Sequence, residues 1–244
     1  LPAVLARLPG LRARATPGAR ARRDGRGLTV SAPLDVFFCT TADPDTSTAR
    51  RDMRRLAWRW WQAQRPRVNL TVIVAGDGGL ESETSVMLDA RIPVHHIPRE
   101  GSQRAHHLLA AQYARSDPYL LVPDDILPAD RASHGQPWDA FVRDADVAAR
   151  AAHIAQWSAW TLPDRGEPQP GFACPAPSPF YRSHAVGGVQ VVRLGAITDA
   201  IPPQTRLAYD SELNRHLRER GWELAVTTHW QVLHLGWRRS QVTP

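Results

Sequence analysis

From residue 34 onward, short apolar runs rich in β-forming residues alternate with segments whose apolar residues have helical spacing. Four such runs predict strands, at 34–40, 68–74, 92–97 and 119–122. The segments between them predict helices at 47–63, 80–90 and 102–115, the first with the i, i+3, i+4, i+7 spacing of Met53, Leu56, Ala57 and Trp60. This alternation predicts βαβ units, and therefore an α/β fold with a mostly parallel central sheet flanked by helices.

The second half of the chain continues the alternation less regularly. It predicts a helix at 138–151, a strand at 186–192, a helix at 210–220, and a strand pair or one bent strand at 222–234. Residues 162–183 hold six prolines, which predicts a surface loop suited to closing over a substrate. We therefore predict one Rossmann-like domain over 31–244, with halves at 31–128 and 129–244.

The net charge of +6 lies entirely in residues 1–30, which contain seven arginines and a single acid, Asp24. The remaining residues balance 23 arginines against 23 acids. We expect residues 1–30 to form a flexible basic arm, because they hold few large apolar side chains. Such an arm suits contact with a polyanion, either nucleic acid or an anionic membrane surface. A solubilising tail, or translation from a start codon placed too early, would explain the same composition.

The chain contains no lysine, which excludes several kinds of chemistry. P-loop phosphate binding, a pyridoxal-phosphate Schiff base and a kinase ATP lysine all need one. The longest apolar runs are too short for a transmembrane helix. The two cysteines, Cys39 and Cys174, lie outside any CxxC motif and cannot form a zinc site by themselves. Because no signal peptide is visible, we expect a cytoplasmic protein.

The clearest candidate for chemistry is the carboxylate pair Asp124 and Asp125, directly after the predicted strand at 119–122. Ligands of α/β sheets bind at the carboxyl ends of the strands. Paired carboxylates there can hold Mg²⁺ or Mn²⁺ against a substrate diphosphate, although an ordinary Asp-rich turn has the same composition. His234, at the end of the last apolar run, is a candidate further metal ligand; His229 competes with it, and a core or surface histidine is the alternative.

Three further polar sites lie at the ends of predicted elements. Asp210 and Glu212 open the helix predicted at 210–220, where they act either as a helix cap or as a general base that deprotonates an acceptor hydroxyl. Asp77 lies among glycines after the second strand, where it can bind a nucleoside or form a plain turn. Arg104 can reach a base or a phosphate from its helix.

The order and spacing of these residues resemble those of GT-A-fold glycosyltransferases, which use nucleotide sugars, over residues 35–236. The most specific stretch is REGSQRAHHLLAAQYARSDPYLLVPDDILP at 99–128, which resembles the family's helix, strand and DxD metal motif. Further segments that resemble family motifs are VIVAGDGG at 72–79, VGGVQVVRLGAI at 186–197, YDSELNRHLRERGW at 209–222 and VLHLG at 232–236.

The resemblance implies a role for each matching residue. Asp125 and His234 would hold Mn²⁺ or Mg²⁺, and the catalytic carboxylates would be Asp210, as the base, and Glu212. Contacts to the nucleotide-sugar donor are implied for Thr40, Thr41, Asp77, Arg104 and Asp124, and contacts to the acceptor for Gly187, Gly188 and Trp157. The sequence departs from the family at Pro123, where a strict DxD has its first acid, and at Tyr209, where many relatives have Glu.

The chain also resembles small glycosyltransferases of phage genomes in its DDxxP and YDxxL segments. Some phage enzymes glycosylate hydroxymethylated bases in DNA, so the resemblance implies, and the basic arm fits, DNA containing 5-hydroxymethylcytosine as acceptor. UDP-glucose is one nucleotide sugar to test as donor. Trp58 and Trp61 are then expected at the surface, where they would help to hold a flipped base. A cell-surface glycan or a small molecule is the alternative acceptor.

Two other classes of function stay open. Nucleotidyltransferases share the fold outline, but they usually have a glycine-rich loop after the first strand, and residues 39–48 contain no glycine. A non-catalytic nucleic-acid-binding protein would use the basic arm, but residues 31–244 carry no net charge and no recognised DNA-binding motif. The leading prediction is a metal-dependent, hexosyltransferase-like glycosyltransferase. Its sugar, its stereochemical outcome and its oligomeric state are not predicted.

Overall fold

A computed structural model describes most of the predicted catalytic domain. The described residues are 33–41, 48–63, 68–76, 91–99, 102–128, 153–162, 180–182, 188–198, 201–202 and 209–234. The basic segment 1–30, the helices predicted at 80–90 and 138–151, and most of the proline-rich segment lie outside these ranges. None of the helices within them is long and apolar enough to cross a membrane.

Nine strands and four helices make up the described part of the chain. The strands are β1 (Leu34–Thr41), β2 (Val68–Ala75), β3 (Val94–Ile97), β4 (Tyr119–Pro123), β5 (Ile126–Pro128), β6 (Ile154–Leu162), β7 (Phe180–Arg182), β8 (Gln190–Val192) and β9 (Glu223–His234). The helices are α1 (Thr48–Ala63), α2 (Ser102–Tyr113), α3 (Leu194–Ile197) and α4 (Tyr209–Glu219).

All nine strands belong to one sheet, in the order β3-β2-β1-β4-β8-β6-β9-β5, and β7 also pairs with β9. The first four strands run parallel, so their carboxyl ends meet at one edge. The strand β8 is antiparallel to both β4 and β6, whereas β6 and β9 run parallel. The predicted α/β fold is therefore confirmed, with a sheet that is parallel from β3 to β4 and mixed beyond β4.

Residues of β1 are buried on both faces of the sheet, as expected for a parallel strand covered by helices on each side. Val36 and Phe38 belong to the core cluster on one face, and Phe37 belongs to the cluster on the other. The first face is covered by α1, and the second is covered by apolar side chains of α2, α3 and α4. This alternation of consecutive side chains follows from the two-residue period of a strand.

The helix predicted at 47–63 is present, but its buried face differs from the predicted one. Trp58 and Trp61 are buried in the core, whereas Leu56 is 55 % exposed. The residues that face the core are Arg54, Ala57, Trp58 and Trp61. Each lies one position after the corresponding residue of the predicted apolar face. The expectation that Trp58 and Trp61 lie at the surface is therefore wrong, because these two rings fill the space between the helix and the sheet.

A buried ion pair explains why an arginine lies on this apolar face. The Nε of Arg54 donates to Oδ2 of Asp124 at 2.9 Å, and both side chains are more than nine-tenths buried. The hydroxyl of Thr40 donates to the same oxygen at 2.7 Å. Removal of charges from water is unfavourable unless they are paired and hydrogen-bonded. Here the carboxylate of Asp124 accepts two hydrogen bonds, whereas the Nη2 of Arg54 is buried without a hydrogen-bond partner among the described residues. The pair therefore fixes α1 against the ends of β1 and β4.

The second half contains strands that the sequence did not predict. β6 holds the polar residues Gln156 and Ser158 at buried positions, so it lacks the apolar pattern of a core strand. β7 lies within the segment predicted as a proline-rich loop, and β5 directly follows Asp124 and Asp125, where no strand is predicted. Of the strand predicted at 186–192, residues 186 and 187 lie outside the described ranges, and within those ranges the strand is Gln190–Val192. Interpretation of 222–234 as a single strand is correct, with a bulge in its middle.

The bulge in β9 lies between two registers with β6. Ala159 pairs with Thr227, but the next residue, Trp160, pairs with Gln231. Three residues of β9, at 228–230, therefore have no register partner on β6. Beyond the bulge β9 also pairs antiparallel with β5, where Ile126 lies opposite His234.

The helix α4 ends as its sequence predicts. Gly221 has a φ of 82°, its N–H donates to the carbonyl of Arg218, and the N–H of Trp222 donates to the carbonyl of Leu217. These two bonds form a Schellman motif, which favours glycine at the left-handed position. The helix therefore ends at a fixed point, and its first turn lies at the opposite end, near the carboxyl ends of the parallel strands.

The buried face of α1 can be tested with two substitutions. Trp58→Ala should lower the free energy of unfolding by about 3–5 kcal/mol, because it leaves a large cavity in the core. Leu56→Ala should change it by less than about 0.5 kcal/mol, because that side chain is largely in water. Denaturant unfolding followed by circular dichroism measures both values. The opposite ranking would mean that the predicted stripe, and not the observed one, faces the core.

The ion pair can be tested by comparing a broken pair with a neutral one. Arg54→Met leaves the Asp124 carboxylate buried without its cation and should cost about 3–5 kcal/mol of unfolding free energy. The double variant Arg54→Met/Asp124→Asn carries no buried charge and should recover at least half of that loss. Denaturant midpoints of the two variants and the parent give the comparison. A single variant within about 1 kcal/mol of the parent would contradict the role assigned to this pair.

Candidate active site

A cleft of about 300 Å³ lies at the carboxyl edge of the parallel strands. It is bounded by the ends of β1 and β4, the first turns of α2 and α4, and the start of β8. Ligands of open α/β sheets bind at this edge, so the cleft is the candidate site. Its lining residues are Cys39, Thr40, Thr41, Gln103, His106, His107, Leu121, Val122, Pro123, Asp124, Asp125, Gly188, Gln190 and Asp210.

The two carboxylates after β4 have different surroundings. Asp124 is 3 % exposed, and its Oδ2 accepts hydrogen bonds from Thr40 and Arg54. Asp125 is half-buried in the turn between β4 and β5 and also lines the cleft. An ion-paired, buried carboxylate anchors the fold, whereas a partly exposed carboxylate can meet a ligand. Asp125 is therefore the member of the pair that suits ligand chemistry.

The sheet register brings the predicted metal ligands into adjacent positions. His234 is the register partner of Ile126, the residue that follows Asp125. Within the described residues, no three His, Cys, Asp or Glu side chains are grouped to hold a metal. A carboxylate suits Mn²⁺ or Mg²⁺, whereas an imidazole suits Mn²⁺ better than Mg²⁺, which prefers oxygen ligands. A substrate diphosphate would supply the remaining oxygens, because these cations usually share their coordination with phosphate. The residues present therefore fit such an ion as a site completed by substrate.

Asp210 is held at the cleft by residues from other elements. Its Oδ1 accepts a hydrogen bond from Gln190 Nε2 at 3.3 Å, and Nε2 of His107 lies 3.8 Å from the same oxygen. The side chain is 40 % exposed. The backbone N–H of Tyr209, at the start of α4, is bonded instead by the side-chain oxygen of Gln103 at 3.0 Å. The side chain of Gln103 thus bonds the first N–H of this helix, and the Asp210 carboxylate faces Gln190 and His107.

Two titratable residues that line the cleft, and Tyr209, next to Asp210 in sequence, stay uncharged at neutral pH. Burial, together with the neighbouring His107, lowers the pKa of His106 to about 4. Burial, and then the negative charge of Asp124, raises the pKa of the Cys39 thiol. Burial also raises the pKa of the Tyr209 phenol. Cys39 is therefore a thiol and not a thiolate, which makes it a poor nucleophile.

Several cleft residues were not predicted from the sequence. Gln103, His106 and His107 occupy the first turns of α2, and Gln190 is a single polar residue in the apolar run of β8. Consecutive polar side chains at a helix start are ordinary surface residues in most proteins, so nothing in this local pattern indicates a site. The signal that did exist is Gln190, because an amide inside an apolar strand needs a hydrogen-bonding partner.

Some predicted site residues lie elsewhere. Trp157 is completely buried in the core of the sheet, so it cannot contact an acceptor, and that expectation is wrong. Glu212 is also buried and lies outside the cleft lining. The guanidinium of Arg104 donates through Nε to the carbonyl of Pro202 at 2.8 Å, and Arg104 likewise does not line the cleft. These two roles stay predictions that the geometry does not favour.

The remaining predicted residues divide between the cleft and the undescribed segments. Thr40, Thr41 and Gly188 line the cleft, as does the Asp124–Asp125 pair. Gly188 has a φ of 69°, a conformation that favours glycine. Asp77 and Gly187 lie outside the described residues, and His234 is described through its strand alone.

No protein-family model matches the sequence, and no curated protein matches it closely enough to be called a relative. Solved structures, in contrast, are similar to it in fold. The crystal structure of GalNAc-T7 with UDP, GalNAc and Mn²⁺ has a TM-score of 0.56 and 11 % sequence identity, and the alignment covers 84 % of this chain. The chain spans only 44 % of the GalNAc-T7 chain.

Two further structures have the same fold. UTP-bound UGPase from Acinetobacter baumannii has a TM-score of 0.52 and 8 % identity, with 84 % of this chain and 89 % of that chain covered. HddC from Yersinia pseudotuberculosis has a TM-score of 0.50 and 10 % identity, with 83 % and 94 % covered. At these identities the likeness concerns the fold alone. The chain therefore has a GT-A-like α/β fold, as its sequence motifs predicted.

Proposed function

We propose that this chain is a glycosyltransferase that moves a sugar from a nucleoside diphosphate sugar to an acceptor hydroxyl. The observation that carries the proposal is that carboxylates from distant parts of the sequence, Asp125 and Asp210, line one cleft. Sugar transfer uses one acidic residue to hold a divalent cation at the leaving diphosphate and another to accept the proton of the attacking hydroxyl. The fold shared with a protein solved with UDP, GalNAc and Mn²⁺ supports this reaction class.

On the donor side, we assign Asp125 and His234 as ligands of Mn²⁺ or Mg²⁺. When bound, such an ion would neutralise the charge that develops on the departing diphosphate. Thr41, at the end of β1, lines the same cleft and is the proposed contact to the nucleoside. Asp124 acts as a positioning residue, because its bonds to Thr40 and Arg54 fix the strand ends around the donor.

On the acceptor side, the carboxylate of Asp210 is the proposed general base. The acceptor oxygen attacks the anomeric carbon while the bond from that carbon to the diphosphate oxygen breaks, and the electron pair leaves with the diphosphate. The hydroxyl proton passes to Asp210 as the new bond forms. Gly188, which lines the cleft beside Gln190, is the proposed backbone contact to the acceptor. The assignment of the base implies transfer with inversion at the anomeric carbon.

Nucleotidyl transfer is the second candidate, because the fold is also similar to that of a UTP-bound UGPase. In that reaction the nucleophile is a sugar phosphate, which is already an anion at neutral pH and needs no base. A carboxylate at the position of Asp210 would repel such a nucleophile. Its presence in the cleft therefore favours a hydroxyl acceptor over a phosphate.

The reaction class can be tested with the purified full-length chain, Mn²⁺ and a panel of nucleotide sugars. We expect metal-dependent release of nucleoside diphosphate, with transfer to water in the absence of an acceptor. Asp210→Asn should lower turnover about 10²- to 10⁴-fold, because it removes the base. Asp125→Asn should remove the dependence on metal together with most of the activity. Asp52→Asn, at an exposed residue of α1, is the matched control and should behave like the parent.

The results would separate the candidates. Pyrophosphate release from UTP and a sugar phosphate, with no hydrolysis of nucleotide sugars, would favour nucleotidyl transfer. A fully active Asp125→Asn variant would contradict the metal assignment. If no donor is turned over and the chain instead binds DNA in a salt-sensitive manner, the non-catalytic interpretation would replace the proposal.

For the acceptor, we propose a hydroxymethylated base in DNA. The proposal rests on the net charge of +6 in residues 1–30, since the rest of the chain is neutral. Neutralisation of phosphates by arginine releases counterions and gives affinity for DNA of any sequence. Trp58 and Trp61 take no part in it, because both are buried in the core. A cell-surface glycan or a small molecule would replace DNA as acceptor if the charge has another use.

The acceptor proposal predicts sugar transfer to DNA that contains 5-hydroxymethylcytosine, with UDP-glucose as the first donor to try. Replacement of Arg20, Arg22 and Arg23 by serine should lower the slope of log activity against log salt by about 2–3, because up to three phosphate contacts are lost. Donor hydrolysis in the absence of DNA should be unchanged. Failure to modify this DNA with any donor that the enzyme hydrolyses would contradict the acceptor but leave the reaction class intact.

A further inference from the structure

Two buried glutamines form a hydrogen-bonded chain that ends at the cleft. Gln156 of β6 donates from Nε2 to Oε1 of Gln190 on β8, and Gln190 donates from Nε2 to Oδ1 of Asp210 on α4. The side chains of Gln156 and Gln190 are 1 % and 5 % exposed. The chain of amides thus begins inside the sheet and reaches the one carboxylate that the proposed mechanism uses as a base.

Two amides in adjacent core strands need an explanation, because buried polar groups weaken a fold unless their hydrogen bonds are made. Val191 and Val192 show that the same strand otherwise carries apolar residues. Apolar side chains at 156 and 190 would fill the sheet without this cost. The Oε1 of Gln156 even lacks a hydrogen-bond partner within the described residues. The two amides therefore lower the stability of the fold, which a function in the cleft would explain.

The carboxylate of Asp210 determines how the two glutamine amide groups are oriented. An ionised carboxylate can only accept hydrogen bonds, so Gln190 must turn its NH₂ group toward Asp210. Its Oε1 then faces Gln156, which must in turn present its own NH₂ group. If Oδ1 of Asp210 carried a proton, its O–H group and the NH₂ group of Gln190 would both be donors, and the hydrogen bond between them would be lost. The bond between Gln190 and Gln156 would be disturbed as well. The two amides therefore favour Oδ1 as a permanent acceptor.

The other oxygen of Asp210 has no hydrogen bond within the described part of the chain. The imidazole of His107 lies on the side of Oδ1, at 3.8 Å, and its ring packs on Tyr209 with 5.6 Å between centroids. We infer that Gln190, supported by Gln156, is a positioning residue that occupies Oδ1 of Asp210 and so leaves Oδ2 to take the proton of the acceptor. The inference rests on the proposed function, since it assigns the oxygen that acts as base.

The charge on Asp210 is also influenced by other titratable groups of the cleft. On α4 itself, Tyr209 is its neighbour in sequence. From the surrounding elements, the titratable residues that face it or share its cleft are Cys39 of β1, His106 and His107 of α2, and Asp124 and Asp125 after β4. None of them is altered by a substitution at Gln190, so a change in the pH profile of such a variant would report on the amide bond.

The first test is the pH dependence of donor turnover. Gln190→Met keeps the length of the side chain but removes the donor to Oδ1 of Asp210. The acid limb of the kcat profile should move to higher pH, because a hydrogen bond to the ionised carboxylate is lost, with kcat about 10-fold lower at pH 6 and KM for the donor unchanged within twofold. Gln156→Met should shift the limb in the same direction but less. Ser158→Ala, at the register partner of Gln190, is the matched control and should leave the profile unchanged.

The second test does not need turnover. In protein labelled with ¹⁵N-glutamine, the side-chain NH₂ signal of Gln190, assigned from its loss in Gln190→Met, should change position with pH because it is bonded to the Asp210 carboxylate. The same signal should be independent of pH in Asp210→Asn. A Gln190 signal that does not respond to pH in the parent protein would overturn the inference whether or not a donor has been found.

The outcomes distinguish the inference from the proposed function. If Asp210→Asn retains the activity of the parent, Asp210 is not the base and the proposed mechanism fails. If Asp210→Asn is inactive while Gln190→Met has the parent profile and kcat, the mechanism stands and the role of Gln190 is overturned. Gln190→Glu provides a second variant of the same length, and it should move the acid limb further, because an acceptor then faces Oδ1. An unmoved acid limb in both folded variants would also overturn the role of Gln190.

Discussion

The cleft depends on one buried charge pair. Asp124 turns inward at the end of β4, where Arg54 of α1 and Thr40 of β1 bond to the same oxygen. Because a buried carboxylate is unfavourable without a partner, this arrangement allows few alternatives for where α1 can lie. It also assigns different environments to adjacent acids. Asp124 is buried, whereas Asp125 is half-buried and lines the cleft, so Asp125 is the member of the pair that suits contact with a ligand.

The order of elements and the edge of the sheet that holds the site were accessible from the sequence. Apolar runs long enough to be core strands predicted β1 to β4, and the rule for ligand sites in α/β sheets then selected the acids after β4. Asp125 and Asp210 do line a common cleft, although they are far apart in sequence. Their roles in catalysis are still predictions, because a shared cleft is evidence of proximity and not of chemistry.

The features that were missed are those in which polar residues are buried. An arginine is expected at the surface, so the apolar face predicted for α1 begins one residue before Arg54. This prediction placed Trp58 and Trp61 on the exposed face of the helix, whereas both are buried. In the same way, β6 was not predicted, because the buried polar residues Gln156 and Ser158 interrupt its apolar pattern. In both cases a tertiary partner, Asp124 or Gln190, makes burial of the polar group possible. Information about that partner is absent from any local window of sequence.

The bulge in β9 has a consequence for how this fold can vary in length. The residues at 228–230 lie outside the register with β6, and the pairing resumes on either side of them. The segment before the bulge is aligned by β6 and β7, and the segment after it is aligned by β6 and β5. An insertion or deletion within the bulge can therefore be absorbed without moving His234 away from Ile126. Among sequences that share this fold and this site, we expect the number of residues between the two halves of β9 to be the most variable spacing.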